Sequence, residues 1–152
     1  MRSFIKFLAL MFFSVFVSHS VLAADHGTTQ EAEAMVKKAI PYIKTKGNEA
    51  AYSEFNNATG SFIDRDMYIF VLDLNGKVLA HGANAKLIGK NLSTLKDVDE
   101  KPFIEELLAI AKSKGKGWID YKWPNPTTKV IELKSTYFEK NGDVIVACGI
   151  YK

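Results

Sequence analysis

The chain has 152 residues, of which 47% are apolar and 24% are charged, and its formal net charge is +3. This length corresponds to one domain, and 10 Phe, 6 Tyr and 2 Trp give too much apolar surface for an intrinsically disordered chain. The single cysteine excludes an internal disulfide bond and a four-cysteine zinc site.

Residues 1–23 have the three parts of a cleavable secretory signal peptide. Arg2 and Lys6 form a basic start, and an uncharged apolar run follows them. Val21 and Ala23 are the small residues expected before a cleavage site. The apolar run is short against the ~20 residues that span a bilayer, although a retained membrane anchor is the alternative. We expect cleavage after Ala23, which predicts a periplasmic or secreted protein.

The predicted mature chain is nearly neutral. Removing the leader takes away two of the 20 basic residues and none of the 17 acidic ones, which leaves a net charge of +1. The remaining charges are scattered, so nucleic acid is not a predicted partner. The mature chain also contains no apolar stretch long enough to cross a membrane.

Residues 24–60 are predicted to form an N-terminal helical region. Thr28 and Glu31 have the spacing of a capping box, and apolar residues recur behind them at helical intervals. Pro41 lies inside this pattern, so we expect it to kink or split the helix. Asn48 is expected to cap a second, short helix.

Residues 61–152 are predicted to form a sheet with one helix inserted. The five expected strands cover residues 67–74, 77–81, 118–123, 129–138 and 144–151. Asn75-Gly76 favours a type I′ hairpin turn, and Asn141-Gly142 indicates a second hairpin.

Between the second and third expected strands, the polar residues 82–100 are predicted to form a long connecting loop. Pro102 is expected to open a helix with one apolar face, which ends at Gly115 or Gly117. The pattern as a whole predicts an α+β fold around one five-stranded antiparallel sheet.

No catalytic motif is recognisable in the sequence. His81 has no Cys or second His near it, so neither a metal site nor a bound cofactor is predicted. Cys148 lies in an apolar run, which is typical of a buried small hydrophobe. An enzyme would have to pair His81 with Asp73 or Cys148, and we therefore predict that the protein is not an enzyme.

Aromatic and cationic residues are concentrated in the predicted sheet. Tyr121 and Trp123 lie two apart and share one face of their strand, as do Tyr68 and Phe70. Lys134 lies in the middle of a strand, where a charge needs either solvent or an anion. These residues either fill the core around a solvent-facing Lys134 or line a cavity suited to a small carboxylate.

An ordered series of motifs extends from Phe62 to Lys152. Its members are Asp66-Met-Tyr-Ile-Phe-Val-Leu-Asp-Leu-Asn-Gly76, Val78-Leu-Ala-His81, Leu87-Ile-Gly-Lys-Asn-Leu92, Gly117-Trp-Ile-Asp-Tyr-Lys-Trp-Pro-Asn-Pro126, Lys134-Ser-Thr-Tyr137 and Cys148-Gly-Ile-Tyr151. This series resembles the single Cache domain family, the extracytoplasmic sensing modules of bacterial chemoreceptors and histidine kinases. The resemblance implies a PAS-like sheet behind a long N-terminal helix, with a small-molecule pocket on one face of the sheet.

The resemblance also implies which residues line that pocket. They are Tyr68, Phe70, His81, Tyr121, Trp123, Lys134 and Tyr137. Strict alternation along a strand places Lys134 and Tyr137 on opposite faces, so both can line one pocket only if a bulge intervenes or one of them lies beyond the strand.

We therefore predict a soluble periplasmic sensor-type protein that binds a small carboxylate or related metabolite. The sequence ends at Lys152, directly after the last predicted strand, so we expect it to present its ligand to a membrane receptor or histidine kinase. The alternatives are an accessory protein-interaction module without a ligand, and a membrane-anchored sensor fragment if the leader is retained.

Overall fold

The structure, a computed structural model, describes residues 26–152. The predicted signal peptide and its cleavage after Ala23 lie outside the described residues. The helices are α1 (Thr29–Lys46), α2 (Asn48–Phe55) and α3 (Phe103–Lys114). The strands are β1 (Ile63–Asp64), β2 (Met67–Asp73), β3 (Val78–His81), β4 (Lys116–Pro124), β5 (Ile131–Asn141) and β6 (Val144–Tyr151).

The strands form one antiparallel sheet in the order β1-β2-β6-β5-β4, and β3 also pairs with β2. The predicted α+β fold is confirmed. The predicted number of five strands is wrong by one, because β1 has only two residues. A strand that short cannot show the alternation of apolar and polar residues from which strands are recognised.

The capping box predicted for the first helix is present. The backbone N–H of Thr28 donates to Glu31 Oε2 at 2.8 Å, and the Glu31 N–H donates to Thr28 Oγ1. The helix is not split at Pro41, because α1 continues through this exposed residue to Lys46. Asn48 does not cap α2 with its side chain. Gly47 occupies the cap position, and its N–H closes the end of α1 by donating to the Ile43 carbonyl.

Both hairpins form, but their turns differ from the predicted ones. A type I′ turn needs positive φ at two central residues, and at the first hairpin only Gly76 has it, with φ of 85°. The Gly76 N–H donates to the Asp73 carbonyl, and Asp73 Oδ1 accepts from the N–H groups of Asn75 and Lys77. The Asp73 side chain thus stabilises a three-residue loop. In the second hairpin Gly142 is the first turn residue rather than the second, because Asn141 pairs with Val144.

The two faces of the sheet are covered differently. α1 and α2 cover one face, here called the helix face, and α3 and the loop of residues 82–102 cover the other, here called the pocket face. α3 ends where Gly115 adopts a left-handed conformation with φ of 77°. No helix within residues 26–152 is both long and apolar enough to cross a membrane.

Candidate functional site

The pocket face contains a small cavity of about 20 Å³. This volume is enough for about one water molecule. The cavity is lined by Tyr68, Phe70, Leu72, Val78, His81, Leu92, Phe103, Ile104, Tyr121 and Trp123. Five of the seven residues predicted for the site therefore surround it, and β2, β3 and β4 supply them.

A more open cleft of about 200 Å³ lies next to this cavity, here called the outer cleft. It shares Tyr68, His81 and Trp123 with the cavity as common walls. Its other lining residues are Ala83, Asn84, Pro124, Asn125, Pro126 and Lys129. The two spaces are therefore neighbours, separated by the side chains of Tyr68, His81 and Trp123.

Lys134, the sixth predicted residue, is fully buried beside the cavity wall. Its Nζ donates a hydrogen bond to the Tyr68 hydroxyl at 2.7 Å and lies 4.9 Å from the centroid of the Tyr151 ring. Within residues 26–152 no carboxylate forms an ion pair with this ammonium. Burial lowers the pKa of Lys134 from 10.5 to about 7, because the charged form loses its hydration.

The long Lys134 side chain fits into the sheet because Gly149 leaves room for it. Gly149 on β6 pairs with Thr136 on β5, two residues from Lys134. A Cβ atom at Gly149 would overlap Lys134 Cε and Thr136 Oγ1. Gly149 was not predicted as a site residue, although a glycine within a strand often marks close approach of another group.

Tyr151 is the second site residue that was not predicted. It pairs with Lys134 across β5 and β6, and its hydroxyl donates to the Pro124 carbonyl at 2.8 Å. The side chain therefore connects the buried ammonium to the rim of the outer cleft. Its pairing with Lys134 depends on the register of two strands, which the sequence does not specify.

His81 is 5% exposed and contributes to both the cavity and the outer cleft. Its ring centroid lies 4.9 Å from that of Tyr68 and 5.9 Å from that of Phe70. Its Nδ1 accepts the backbone N–H of Asn84 at 3.0 Å. Burial, together with the nearby positive charge of Lys134, lowers the pKa of His81 from 6.5 to about 3, so the imidazole is neutral at physiological pH.

Aromatic side chains form the wall of the cavity nearest to α3. Tyr121 stacks on Phe103 with ring centroids 4.1 Å apart and an angle of 11° between the planes. Trp123 meets Phe103 edge to face at 5.6 Å. The Tyr121 hydroxyl forms a hydrogen bond with Thr136 Oγ1 at 3.0 Å, so this polar group is satisfied inside the wall.

Tyr137, the seventh predicted residue, lies apart from the other six. It belongs to the core of the helix face, where its ring packs 5.3 Å from that of Trp118. Its hydroxyl donates to Glu139 Oε1 at 2.6 Å. β5 and β6 pair continuously from Lys134 to Asn141, so no bulge brings Tyr137 to the pocket face.

The groups considered for catalysis are also not brought together. Cys148 is buried in the core of the helix face, where its Sγ donates to Met35 Sδ at 3.6 Å, and burial raises the pKa of its thiol to about 12. Asp73 accepts backbone hydrogen bonds in the first hairpin turn. In the part of the chain that the structure describes, no group of three or more His, Cys, Asp or Glu residues could hold a metal ion.

Comparison with known proteins places these observations in a family context. The family model described as Single Cache domain 2 matches residues 13–152. Among curated proteins, the methyl-accepting chemotaxis protein McpP of Pseudomonas putida is 27% identical over 150 aligned residues, which cover 86% of this chain and 27% of the receptor. The chain thus spans about a quarter of the length of this receptor.

Solved structures show the same relationship. A methyl-accepting chemotaxis protein from Vibrio parahaemolyticus superposes with a TM-score of 0.70 at 28% identity, covering 80% of this chain and 86% of the other. A Cache chemosensory domain, described as showing the basis for carboxylic acid recognition, superposes with a TM-score of 0.69 at 26% identity, covering 80% of this chain and 91% of the other.

Proposed function

The chain belongs to the single Cache domain family, whose members are ligand-binding sensor domains, and we propose that it binds a small carboxylate on the pocket face of its sheet. The observation that carries this proposal is the buried ammonium of Lys134, which has no carboxylate partner among the described residues. The chemosensory domain described in terms of carboxylic acid recognition supports the same class of ligand.

The energetics of Lys134 favour an anionic ligand. A buried charge is costly unless it is paired and hydrogen-bonded, and Lys134 makes one hydrogen bond, to a neutral tyrosine. A carboxylate would accept the remaining N–H groups of the ammonium in charge-assisted hydrogen bonds, which are stronger than bonds between neutral groups. The free energy lost by burying Lys134 would thus be recovered on ligand binding.

The dimensions of the site favour a ligand of few atoms. The cavity is far smaller than the roughly 300–1,000 Å³ of sites for drug-sized molecules. A short carboxylate would lie between Tyr68, His81 and Trp123, which line both the cavity and the outer cleft. Lys134 lines neither space itself, so the charged end of the ligand would reach its ammonium past the Tyr68 side chain. The aromatic walls would then cover its apolar part.

The similarity to chemoreceptors extends the proposal to signalling. We propose that the domain lies in the periplasm and presents its ligand to a membrane receptor or histidine kinase. A membrane-anchored form of the same sensor is the alternative if the leader is retained. Cross-linking in intact cells, followed by fractionation of periplasm and membranes, distinguishes these arrangements.

A thermal-shift screen tests whether a carboxylate binds. Acetate, propionate, pyruvate and lactate are compared with acetamide and propionamide, which have similar shapes but no charge. A ligand at 100 times its Kd stabilises the folded state by about 2.7 kcal/mol, so we expect the carboxylates to raise the Tm by several degrees and the amides to leave it unchanged. If no carboxylate raises the Tm, the better explanation of the protein's function is the alternative of an accessory protein-interaction module without a ligand.

Carboxylate affinity is expected to fall with rising pH, because the ligand needs the charged form of Lys134. With the pKa of free Lys134 at about 7, the Kd should be nearly constant below pH 6. Above pH 7 it should rise about tenfold per pH unit, until the higher pKa of the complex is reached. Calorimetric titration between pH 6 and 9 checks this, and a Kd constant over that range would contradict it.

The stability of the free protein should change in the opposite direction. The pKa of Lys134 is lower in the folded chain than the usual 10.5, so between pH 7 and 10.5 the unfolded chain binds more protons. The contribution of Lys134 to the free energy of unfolding therefore rises with pH in this window, by up to about 1.4 kcal/mol per unit. Denaturant unfolding across the same window measures it.

A further inference from the structure

We infer that the outer edge of β4, over its first half, is an interface between two copies of this chain. The two β4 strands would pair antiparallel about a two-fold axis at Trp118 and would join the two sheets into one. The interface lies at the edge of the sheet, apart from the cavity, and does not depend on the proposed carboxylate binding.

β4 lies at the end of the sheet, and within residues 26–152 its only strand partner is β5. In an antiparallel pair the backbone groups of alternate residues point away from the partner strand. Just beyond the end of β4 the Asn125 N–H donates to the Val130 carbonyl, and the pairing continues back along the strand without a shift in register. Odd-numbered residues therefore bond to β5. The residues whose backbone N–H and carbonyl groups point outward are Lys116, Trp118, Asp120 and Lys122.

The loop between β3 and α3 closes only the second half of this edge. Asp97 Oδ2 accepts the outward N–H of Lys122 at 2.9 Å. Lys101 Nζ donates to the Asp120 carbonyl at 2.7 Å. A carbonyl oxygen has two lone pairs, so the Asp120 carbonyl can accept one further hydrogen bond. The loop thus sets one limit of the open edge, at Asp120.

The open part of the edge covers residues 116–120. Its other limit is Gly115, where the chain leaves α3 in a left-handed conformation. Two copies of this stretch overlap completely in an antiparallel pair only when Trp118 lies opposite the same residue of the second copy. In that register the outward backbone groups of three residues in each copy would exchange hydrogen bonds with those of the other.

The charges along this stretch are complementary to themselves in the same register. Lys116 and Asp120 lie two residues on either side of Trp118, so Lys116 of each copy would lie opposite Asp120 of the other. Lys116 is exposed and forms no ion pair within residues 26–152. Asp120 pairs at 3.3 Å with Lys152 on the surface. Opposite charges directly across an antiparallel pair stabilise it, so each end of the interface would gain one ion pair.

A lysine on an edge strand typically prevents pairing between sheets. It has this effect when the incoming strand places no acid opposite it. A register centred on Lys116 or on Asp120 would put like charges opposite each other, which is destabilising. The order of Lys116, Trp118 and Asp120 on one face therefore opposes other registers and favours the two-fold pair about Trp118.

Trp118 would form the apolar centre of the interface. Its side chain is only partly buried, and its ring centroid lies 5.3 Å from that of Tyr137. In the pair the two indoles would lie directly opposite each other, with Cβ atoms about 4.5–5.5 Å apart, where aromatic side chains stabilise a sheet. So short a pairing buries less area than a stable dimer needs, so we expect a weak, reversible dimer.

Sedimentation equilibrium of the purified protein between about 10 µM and 1 mM tests this, since even a weak dimer is populated in that range. Lys116→Asp and Asp120→Lys each put like charges opposite each other at both ends of the interface. Each variant alone should therefore dimerise with a Kd at least about tenfold higher than that of the wild-type protein. An equimolar mixture pairs a copy with two acids and a copy with two lysines, so it should dimerise about as tightly as wild type. This recovery would also show that both variants are folded.

A disulfide tests the position of the two-fold axis. The Cα atoms of a hydrogen-bonded antiparallel pair are about 5.5 Å apart, within the range of a disulfide, so Trp118→Cys should form a linked dimer on mild oxidation. The native Cys148 does not compete, because it is buried and the pKa of its thiol is raised to about 12. Lys122→Cys is the control, because its two copies would lie at opposite ends of the interface.

Four results would each overturn the inference. The wild-type protein could remain monomeric at about 1 mM. The single charge variants could associate as tightly as wild type, which would place a dimer interface elsewhere. Their mixture could associate no more tightly than either variant alone. Finally, Trp118→Cys could form no more linked dimer than Lys122→Cys.

Discussion

Replacing Lys134 with methionine is expected to abolish carboxylate binding and at the same time to stabilise the ligand-free protein. Methionine is close to lysine in length and shape but has no charge, so it removes the anion's partner without emptying the space beside Tyr68. The lowered pKa of Lys134 shows that burying its charge opposes folding. From that shift, the gain in the free energy of unfolding at pH 7 is on the order of 2–4 kcal/mol.

Lys140→Met is the matched control for this variant, because Lys140 lies on the same strand and is exposed. It should leave carboxylate affinity unchanged and alter stability by less than about 0.5 kcal/mol. Urea unfolding and calorimetric titration of both variants provide the two readouts. A Lys134→Met protein that still binds pyruvate with wild-type affinity would remove Lys134 from the site. A Lys134→Met protein that is less stable than wild type would show that the Lys134 ammonium of the wild-type protein has a partner that stabilises the folded state.

Replacing Gly149 with alanine is expected to weaken both folding and ligand binding. The added methyl group would occupy the space through which the Lys134 side chain passes, and it would also press on Thr136 Oγ1. Overpacking of this kind typically lowers the free energy of unfolding by about 1–3 kcal/mol. Because the ammonium must shift away from its position at Tyr68, carboxylate affinity should fall at least about tenfold, the equivalent of one displaced hydrogen bond.

A double-mutant cycle shows whether Gly149 acts through Lys134. In Lys134→Ala the atoms that the new methyl group would meet first are absent, so Gly149→Ala should cost less stability in that background than in wild type. Urea unfolding of the two single variants and the double variant measures the difference. An equal cost in both backgrounds would mean that Gly149 is required for another reason, such as the approach of Thr136.

The face on which each predicted site residue lies could be read from the sequence, because side chains alternate along a strand. This local rule places Tyr68 with Phe70 and Tyr121 with Trp123, and it separates Lys134 from Tyr137 without any knowledge of the fold. The family resemblance included Tyr137 in the pocket, whereas the continuous pairing of β5 and β6 leaves it on the helix face. At this position the alternation was the better guide.

Contacts between strands could not be predicted in the same way. Tyr151 lies opposite Lys134, and Gly149 opposite Thr136, only because β5 and β6 pair in one particular register. A shift of one residue would place different side chains opposite each other. The residues near these positions in the sequence do not exclude such a shift, because the register is specified by burying one whole face of the sheet. The two site residues missing from the predictions are therefore those whose roles arise from pairing.

The sequence by itself determined the α+β class, the helical N-terminal region, the hairpins and the aromatic character of one sheet face, because each depends on residues close together along the chain. The tertiary structure decided that Lys134 is buried without an ion-pair partner among the described residues and that His81 Nδ1 accepts the Asn84 N–H. These properties depend on Gly149, Tyr68 and Asn84, which lie on other segments and meet these side chains only in the folded chain. The chemistry of the site therefore arises from packing between segments, whereas its residue types are already visible in the sequence.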